Sequence, residues 1–379
     1  MLKVALVCPF DLDRLSGTPV RSRLTAKVLH QLCQLQVYAT GGSDPFVQVI
    51  PNTWVKRFRL DRFTREVVRA LYQFRPDVVH LVNPAGILAA LAYKTGYPQV
   101  KIITEIHGLT RYEMTQARPW SRLAFQGLEW LSLKFADHVV AMSYSQKHLI
   151  VQEFGLDLAQ KISVIWGPVD VQSIRCENLA RGDKFTVGYL GNGSFWQGIG
   201  LILYAVEKLT DYPHIHFLLG GIQPDLYRIH LPQPLPDNLT VIPVIPRGQE
   251  SAFLSQCHVL VSSRIGGQVS ESQYPYKLSY YLAAGRPIIA SAVSDQPLII
   301  ERAKCGLIFD PNQPETLVQK ILELFYMDEQ QRQEMGRNGR RFAETYLDLE
   351  QLGTKLLAIY QGLSADCTGT NQSQDHNQE

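Results

Sequence analysis

Residues 271–291 read ESQYPYKLSYYLAAGRPIIAS, the pattern of a loop, a short helix and a buried strand in succession. The helix carries Lys277 in its first turn and is stopped by Gly285, after which Arg286-Pro287 leads into the apolar run to Ser291. The small Ala283-Ala284-Gly285 end allows helix and strand to pack closely. A helix N-terminus with a lysine beside it makes an anion site.

The same alternation runs outward in both directions. Lys3–Val7, Asp77–Val82, Lys101–Ile106, His138–Ala141 and Lys161–Ile165 are strand-like runs separated by helical stretches. Val20, Leu24, Val28 and Leu32 form one helical stripe, with Pro19 suited to the first helical position and Ser16 or Thr18 to a cap. Continuous apolar strands between helices predict a parallel sheet covered on both faces, and hence an α/β domain over 1–166. Gly167-Pro168-Val169-Asp170 breaks the pattern, and 167–183 reads as a linker. A second α/β domain over 184–345 is marked by Phe185–Leu190, His216–Leu219, Leu239–Pro243, Val259–Ser262, Pro287–Ser291 and Gly306–Phe309. Residues 314–363 are helical, and 364–379, rich in Gln, Asn, Asp and Ser, read as a disordered tail. Two such domains predict a cleft, with ligands beyond the carboxyl ends of the strands.

Composition narrows the function. The 379 residues are about twice what one core organises, which agrees with two domains. No apolar run reaches the roughly 18 residues that cross a bilayer, and Leu2–Pro9 is too short for a signal peptide, so a cytoplasmic location is expected. A net charge of +2 argues against a nucleic-acid partner. The charge is uneven, though: residues 1–170 hold 20 Lys+Arg against 13 Asp+Glu, and 171–379 hold 17 against 22. The basic half is the candidate for an anionic partner. Cys8, Cys33, Cys176, Cys257, Cys305 and Cys367 lack CxxC spacing and read as buried thiols rather than a disulfide framework or zinc site.

Three further segments fall after strands. Ser16-Gly17-Thr18 opens a helix and could bring main-chain N–H groups to an anion or a sugar hydroxyl, although a tight turn with a cap is the simpler reading. In Thr104-Glu105-Ile106-His107-Gly108, His107 could donate to a substrate hydroxyl or carry a proton, or simply bond a neighbouring carbonyl. Gly188 to Gly198 (GYLGNGSFWQG) has the strand, glycine loop and helix start that hold phosphate on backbone amides. Its glycines at 191, 193 and 198 miss GxGxxG spacing, and Leu219-Gly220-Gly221 brings no acid for a ribose, so a nicotinamide-linked oxidoreductase is disfavoured.

The 271–291 stretch resembles the P-S-K-L-x-E-Y-L-A-A-G-K-P-V-I-A-S segment of retaining glycosyltransferases of the GT-B fold, glycosyltransferase family 4. The resemblance extends through DVVHLVNP at 77–84, EIHG at 105–108, ADHVVAMSYSQKHLI at 136–150, KISVIWGPVD at 161–170, VGYLGNGSFWQG at 187–198 and CGLIFDP at 305–311. It implies two Rossmann-like domains facing a central cleft, the first holding the acceptor and the second a nucleotide sugar. The terminal helix, 346–363, would pack back onto the first domain. The implied activity is that of a hexosyltransferase, moving a sugar from a nucleoside diphosphate donor to a glycan or lipid-linked acceptor with retained configuration. Neither a cofactor nor a metal is implied, and Asp11-Leu12-Asp13, a DxD-like triplet, reads as a solvated loop.

By the same resemblance His107 contacts the donor sugar near the reacting carbon, and Lys277 stabilises the departing diphosphate. The pattern also departs from the family. Where the family has a lysine before a glycine this chain has Gln197 before Gly198, and no arginine lies between Gly191 and Gly198. Aligning Pro275, Lys277, Leu278 and Gly285 puts Ser272 and Tyr280 at the family's two glutamate positions, with Glu271 one residue out of register. Gly191, Asn192, Gly193, Arg264 in Ser263-Arg264-Ile265-Gly266-Gly267, and Leu278 complete the expected donor site, with Glu271 reaching the sugar if the loop at 265–270 shifts. Two lost charge-assisted hydrogen bonds would weaken donor binding about 10² to 10⁴-fold unless replaced.

A basic and aromatic stretch, Trp54, Lys56, Arg57, Phe58, Arg59, Arg62, Phe63, Arg65 and Arg69, with Arg111, Arg118, Trp120 and Arg122 later, could rest on anionic lipid at the inner face of a membrane. Asp61 and Glu66 dilute that charge and favour a solvated helix face with Phe58 and Phe63 turned inward. Two other classes stay open beside the enzyme: a catalytically silent GT-B protein that binds glycan or scaffolds other enzymes, and a sugar-nucleotide epimerase of related fold.

Overall fold

The computed structural model describes residues 1–14, 16–50, 59–114, 118–175, 184–227, 229 and 231–369. The chain forms two units, one made of Met1–Trp166 with the chain from Leu349 onward, the other of Gly167–Asp348.

The first unit is built on seven parallel strands: β1 (Lys3–Asp11), β2 (Gln34–Gly41), β3 (Val47–Val49), β4 (Val78–Val82), β5 (Lys101–Ile106), β6 (His138–Ala141) and β7 (Ile162–Val164), in the order β3-β2-β1-β4-β5-β6-β7. β1 shows why both faces must be covered. Val4, Leu6 and Cys8 enter one core, while Ala5 and Val7 enter another, and all five are buried. The order reverses between β1 and β4, so their carboxyl ends splay apart.

β2 and β3 were not among the expected strands. β2 follows the first helix with no turn residue between Leu32 and Gln34, which hides the change of period from 3.6 to 2. The first helix runs Gly17–Leu32. Ser16 stands at its N-cap without a side-chain cap bond, Thr18 lies inside the helix, and Pro19 is the third helical residue rather than the first.

The second unit has six parallel strands: β8 (Phe185–Leu190), β9 (Ile215–Gly220), β10 (Leu239–Ile242), β11 (Val259–Ser262), β12 (Ile288–Ser291) and β13 (Gly306–Phe309), in the order β10-β9-β8-β11-β12-β13. Its reversal lies between β8 and β11. Helix Lys277–Ala284 ends at Gly285, whose φ of 65° is left-handed, the conformation a helix stop of this kind needs.

Two boundaries differ from the sequence expectation. Residues 167–175 are packed rather than linking: Val169 donates its N–H to the Leu347 carbonyl at 2.9 Å, Val171 donates to Asp348 Oδ1 at 3.2 Å, and Val171 and Ile174 are buried. The rest of the expected linker, 176–183, lies outside the described residues. The helical C-terminal region is three helices, Pro314–Tyr326, Glu329–Tyr346 and Leu349–Gly369. The last of these covers 364–369, which had been assigned to a disordered tail; 370–379 lie outside the described residues. Its Leu352, Leu356 and Tyr360 join Val28 and Leu29 in the core of the first unit.

Cys8, Cys33, Cys257 and Cys305 are buried thiols. Phe63 is buried in the first unit, whereas Trp54, Lys56, Arg57 and Phe58 lie outside the described residues. Among the described residues no helix is long and apolar enough to cross a membrane.

Candidate functional site

In the second unit, chemistry gathers at the β8/β11 reversal. Residues 194–198 after β8 are stitched to residues 263–265 after β11: Ser263 Oγ donates to the Gln197 carbonyl at 2.9 Å, and Ile265 donates to the Trp196 carbonyl at 3.1 Å. Gly198 has φ 65°, and a Cβ there would collide with the Ser263 carbonyl oxygen, so this position tolerates glycine alone. Asn192 is held within the loop, its carbonyl accepting from Tyr189 Oη at 2.7 Å and its Oδ1 from the Ser194 N–H at 3.1 Å. Gly193 is buried beside it. The Oε1 of Gln197 is buried without a hydrogen-bond partner among the described residues.

Lys277 reaches this loop from the first turn of its helix. Its Nζ sits 3.7 Å from the centroid of the Tyr189 ring, and a Cβ built on Gly191 would lie 3.1 Å from it. The ammonium is shielded from solvent and makes no hydrogen bond among the described residues. Burial, reinforced by the Arg264 guanidinium, holds it well below the ordinary lysine range. Arg264 is itself buried and donates to the carbonyl and Oε1 of Gln273 at 3.2 and 2.8 Å. A buried guanidinium and a buried lysine amine, whose protonated form an anion would favour, sit beside a glycine loop and make a place where an anion is favoured.

The other expected donor residues are less open. Both Glu271 carboxylate oxygens accept from the backbone N–H of Ser294, at 3.1 and 3.0 Å, and Ser294 is in the left-handed region at φ 54°. Ser272 is buried and donates to the Val269 carbonyl. Tyr280 packs 6.0 Å from the Tyr276 ring, and Leu278 is fully buried. Thus the structure brings Gly191, Asn192, Gly193, Gln197, Arg264 and Lys277 together, and engages Glu271 and Ser272 with backbone instead.

In the first unit, His107 follows β5. Its backbone N–H donates to Asn83 Oδ1 at 3.1 Å, and its Nε2 meets Glu105 Oε1. Glu105 is also gripped by Arg21, whose Nη1 donates to the Trp166 carbonyl at 2.8 Å. Burial alone would raise the Glu105 carboxyl, but Arg21 and then His107 hold it well below the usual carboxylate range. His107 is lowered by burial, against the pull of Glu105. His80 stands behind this group, its Nδ1 2.7 Å from Tyr360 Oη and its Nε2 3.6 Å from Glu105 Oε2. Sequence reasoning missed Arg21, His80 and Tyr360, because they come from three distant segments with no local spacing to mark them. Ser16 and Gly17 are exposed at the start of the Arg21 helix, and Thr18 is half-buried, its carbonyl accepting from Ser22 Oγ.

A cavity of about 370 Å³ lies at the β1/β4 reversal, lined by Phe10, Phe63, Phe125 and Met114 on apolar sides and by Asn83 and Thr110 among its polar groups. Asp11 of the DxD-like triplet is turned back on the chain, accepting the Asp13 N–H at 3.0 Å.

Family models match nearly the whole chain: the model described as Glycosyltransferase Family 4 covers residues 16–173, and that of Glycosyl transferases group 1 covers 170–342. The chain is a glycosyltransferase family 4-like protein of the GT-B fold. Among solved structures, this GT-B chain is similar to sucrose-phosphate synthase from Thermosynechococcus elongatus, with a TM-score of 0.77, 16% identity, and 97% and 100% of the two chains covered. It is also similar to Anabaena Alr3699/HepE in complex with UDP and glucose, with a TM-score of 0.75, 13% identity, and 96% and 100% covered. Among curated proteins it matches spore coat protein SA of Bacillus subtilis (strain 168), 33% identical over 167 residues, 43% of this chain. That match spans only 39% of the relative's length. Family and fold together support glycosyl transfer as the chemistry.

Proposed function

We propose that this GT-B protein transfers a hexose from a nucleoside diphosphate donor to a glycan or lipid-linked acceptor, with retention of configuration. The observation that carries the reading is Lys277 Nζ, buried beside Gly191 and Tyr189 without a hydrogen-bond partner among the described residues. A donor diphosphate supplies the missing acceptor oxygens. The diphosphate's opposite charge favours the protonated lysine, so the cation is completed as the donor binds and then stabilises the charge that develops on the leaving group. In the loop 191–198 the N–H groups of Gly191, Ser194, Gln197 and Gly198 are already donated within the unit, which leaves those of Asn192 and Gly193 as the loop's contribution beside Lys277, and Arg264 adds a second positive field. The departing phosphate helps take the acceptor proton, so the reading requires no separate protein base, and charge on the leaving group is met by the two cations without a metal. His107, held by Glu105 and Asn83, is assigned to the donor sugar. The cavity lined by Phe10, Phe63 and Phe125 is assigned to the acceptor.

One observation favours a second reading, the catalytically silent GT-B protein: Glu271, the nearest carboxylate to the family's pattern, is occupied by the Ser294 N–H. A screen of nucleoside diphosphates and their sugars for thermal stabilisation, followed by donor hydrolysis, separates the two. UDP and UDP-glucose come first, because a structure of this fold holds UDP and glucose. Stabilisation at millimolar ligand with slow hydrolysis, both lost in Lys277→Ala, supports the transferase. Stabilisation with no turnover in any donor and acceptor combination supports the silent protein, and no stabilisation by any nucleotide sinks the donor site.

A further inference from the structure

Helix Pro119–Phe135 turns an apolar face to solvent. Trp120, Leu123 and Trp130 are 69%, 72% and 51% exposed, and Phe135 at its end is 50% exposed. With exposed Ala124 and Gly127 they occupy one side of the helix, at 120, 123, 127 and 130, while Leu128, Glu129, Ser132 and Leu133 are buried on the other. Trp130 and Phe135 meet edge to face, with ring centroids 6.5 Å apart. Leu156, 81% exposed, joins the same end: it opens the turn Leu156–Lys161, and Lys161 Nζ donates to the carbonyls of Lys134 and Ala136. A single exposed apolar side chain is unremarkable in a folded protein, but this concentration on one helix is a contact surface.

Charge says what it contacts. Residues 111–135 carry Arg111, Arg118, Arg122 and Lys134 against two acids, Glu113 and Glu129. Glu129 is buried, accepting the Thr110 N–H at 2.8 Å, and Arg111 is engaged by Glu153. The exposed positions from 118 to 135 are therefore Arg118, Pro119, the apolar group and Lys134, with an exposed acid beside them, Asp157 next to Leu156, whose Oδ2 lies 3.7 Å from Lys134 Nζ. Two indoles with leucine and phenylalanine, and basic residues at both ends, suit the boundary of an anionic bilayer. Tryptophan is favoured at headgroup depth, and arginine and lysine bind lipid phosphate.

We propose that this helix lies along the surface of an anionic lipid bilayer. The proposal is independent of the transferase reading. It rests on residues 118–135 and not on the stretch at 54–69, whose sequence is diluted by Asp61 and Glu66. Phe125 of the same helix lines the 370 Å³ cavity, so docking would bring that cavity close to lipid-linked molecules.

Flotation of the full chain with phosphatidylcholine vesicles, with and without roughly 30 mol% phosphatidylglycerol, tests it. The wild type is expected to float with the anionic vesicles at least about tenfold better than with neutral ones. The triple variant Trp120→Ala, Leu123→Ala, Trp130→Ala, altered only at exposed positions, is expected to lose about tenfold or more with an unchanged melting temperature. Arg118→Gln with Lys134→Gln is expected to weaken binding to anionic vesicles and flatten its salt dependence. A wild type that stays in solution at both compositions overturns the proposal, as does a triple variant that floats equally well. So does a wild-type dimer that the triple variant converts to monomer without any vesicle binding, since the face would then be a protein interface.

Discussion

Arg21 and Glu105 meet as a two-pronged pair, Nε to Oε1 at 2.6 Å and Nη2 to Oε2 at 3.1 Å, with both side chains closed to water. The geometry is the bidentate one in which a guanidinium best offsets the desolvation of a carboxylate. Removing one partner strands the other. Arg21→Ala is expected to destabilise the first unit by about 3–5 kcal/mol, whereas Arg21→Met with Glu105→Gln should cost clearly less than Arg21→Ala. Urea unfolding of the three proteins measures this, and equal losses in single and double variants would show that the charge pair is not what matters.

Lys277 leads to a proton-counting experiment. Its ammonium is held well below the ordinary lysine range by burial and by Arg264, so a bound diphosphate, bringing opposite charge, must raise it. Binding below the ordinary lysine range is therefore expected to take up protons. Calorimetric titration in buffers of different ionisation enthalpy reads the uptake directly. Lys277→Gln should reduce it along with affinity; an uptake unchanged in that variant assigns the proton elsewhere.

Acid sensitivity should trace in part to His80, which burial brings down to about 4. The unfolded chain takes a proton on this histidine near its ordinary value of about 6.5, while the folded chain does not. Stability is then unaffected above neutrality and falls as pH drops from 6.5 to about 4, by at most roughly 3 kcal/mol. Glu105 acts in the same direction at lower pH, its stabilisation lost as pH falls through its depressed folded value. Melting curves from pH 7.5 to 4.5 should show a shallower decline in His80→Asn than in the wild type.

Two glycines two residues apart should respond oppositely to alanine. Gly198→Ala forces a side chain onto the Ser263 carbonyl at φ 65°, and is expected to cost at least about 2 kcal/mol, or about 4–8 °C in melting temperature. Gly200, near the start of helix Ile199–Lys208, has nothing within 4 Å of a built Cβ. Gly200→Ala is expected to be neutral or to stabilise by up to about 1 kcal/mol. Differential scanning calorimetry of the pair checks both signs.

The fold was legible because parallel strands buried on both faces leave long apolar runs that composition alone exposes, as in Lys101–Ile106 and Val259–Ser262. β2 was not, since its alternation of Leu35, Val37 and Ala39 begins directly after a helix with no turn residue to announce it. At the site, Lys277 and the 191–198 loop could be read because a helix start and a run of glycines are local signals. Glu271 could not: its commitment to the Ser294 N–H depends on a left-handed turn 23 residues away. Arg21, His80 and Tyr360 were hidden for the same reason. Each is an ordinary residue of a helix or strand, and only folding brings them to Glu105.

Tyr360 touches His80 across 280 residues of chain, inside a core whose other members all precede Trp166 or follow Asp348. On the ribosome, residues 1–166 therefore emerge well before 349–360, the stretch that completes their core. Gly167–Asp348 emerges whole and can settle while its predecessor still lacks a wall. Until Leu352, Leu356 and Tyr360 arrive, Val28 and Leu29 face water, and chaperones have something to hold.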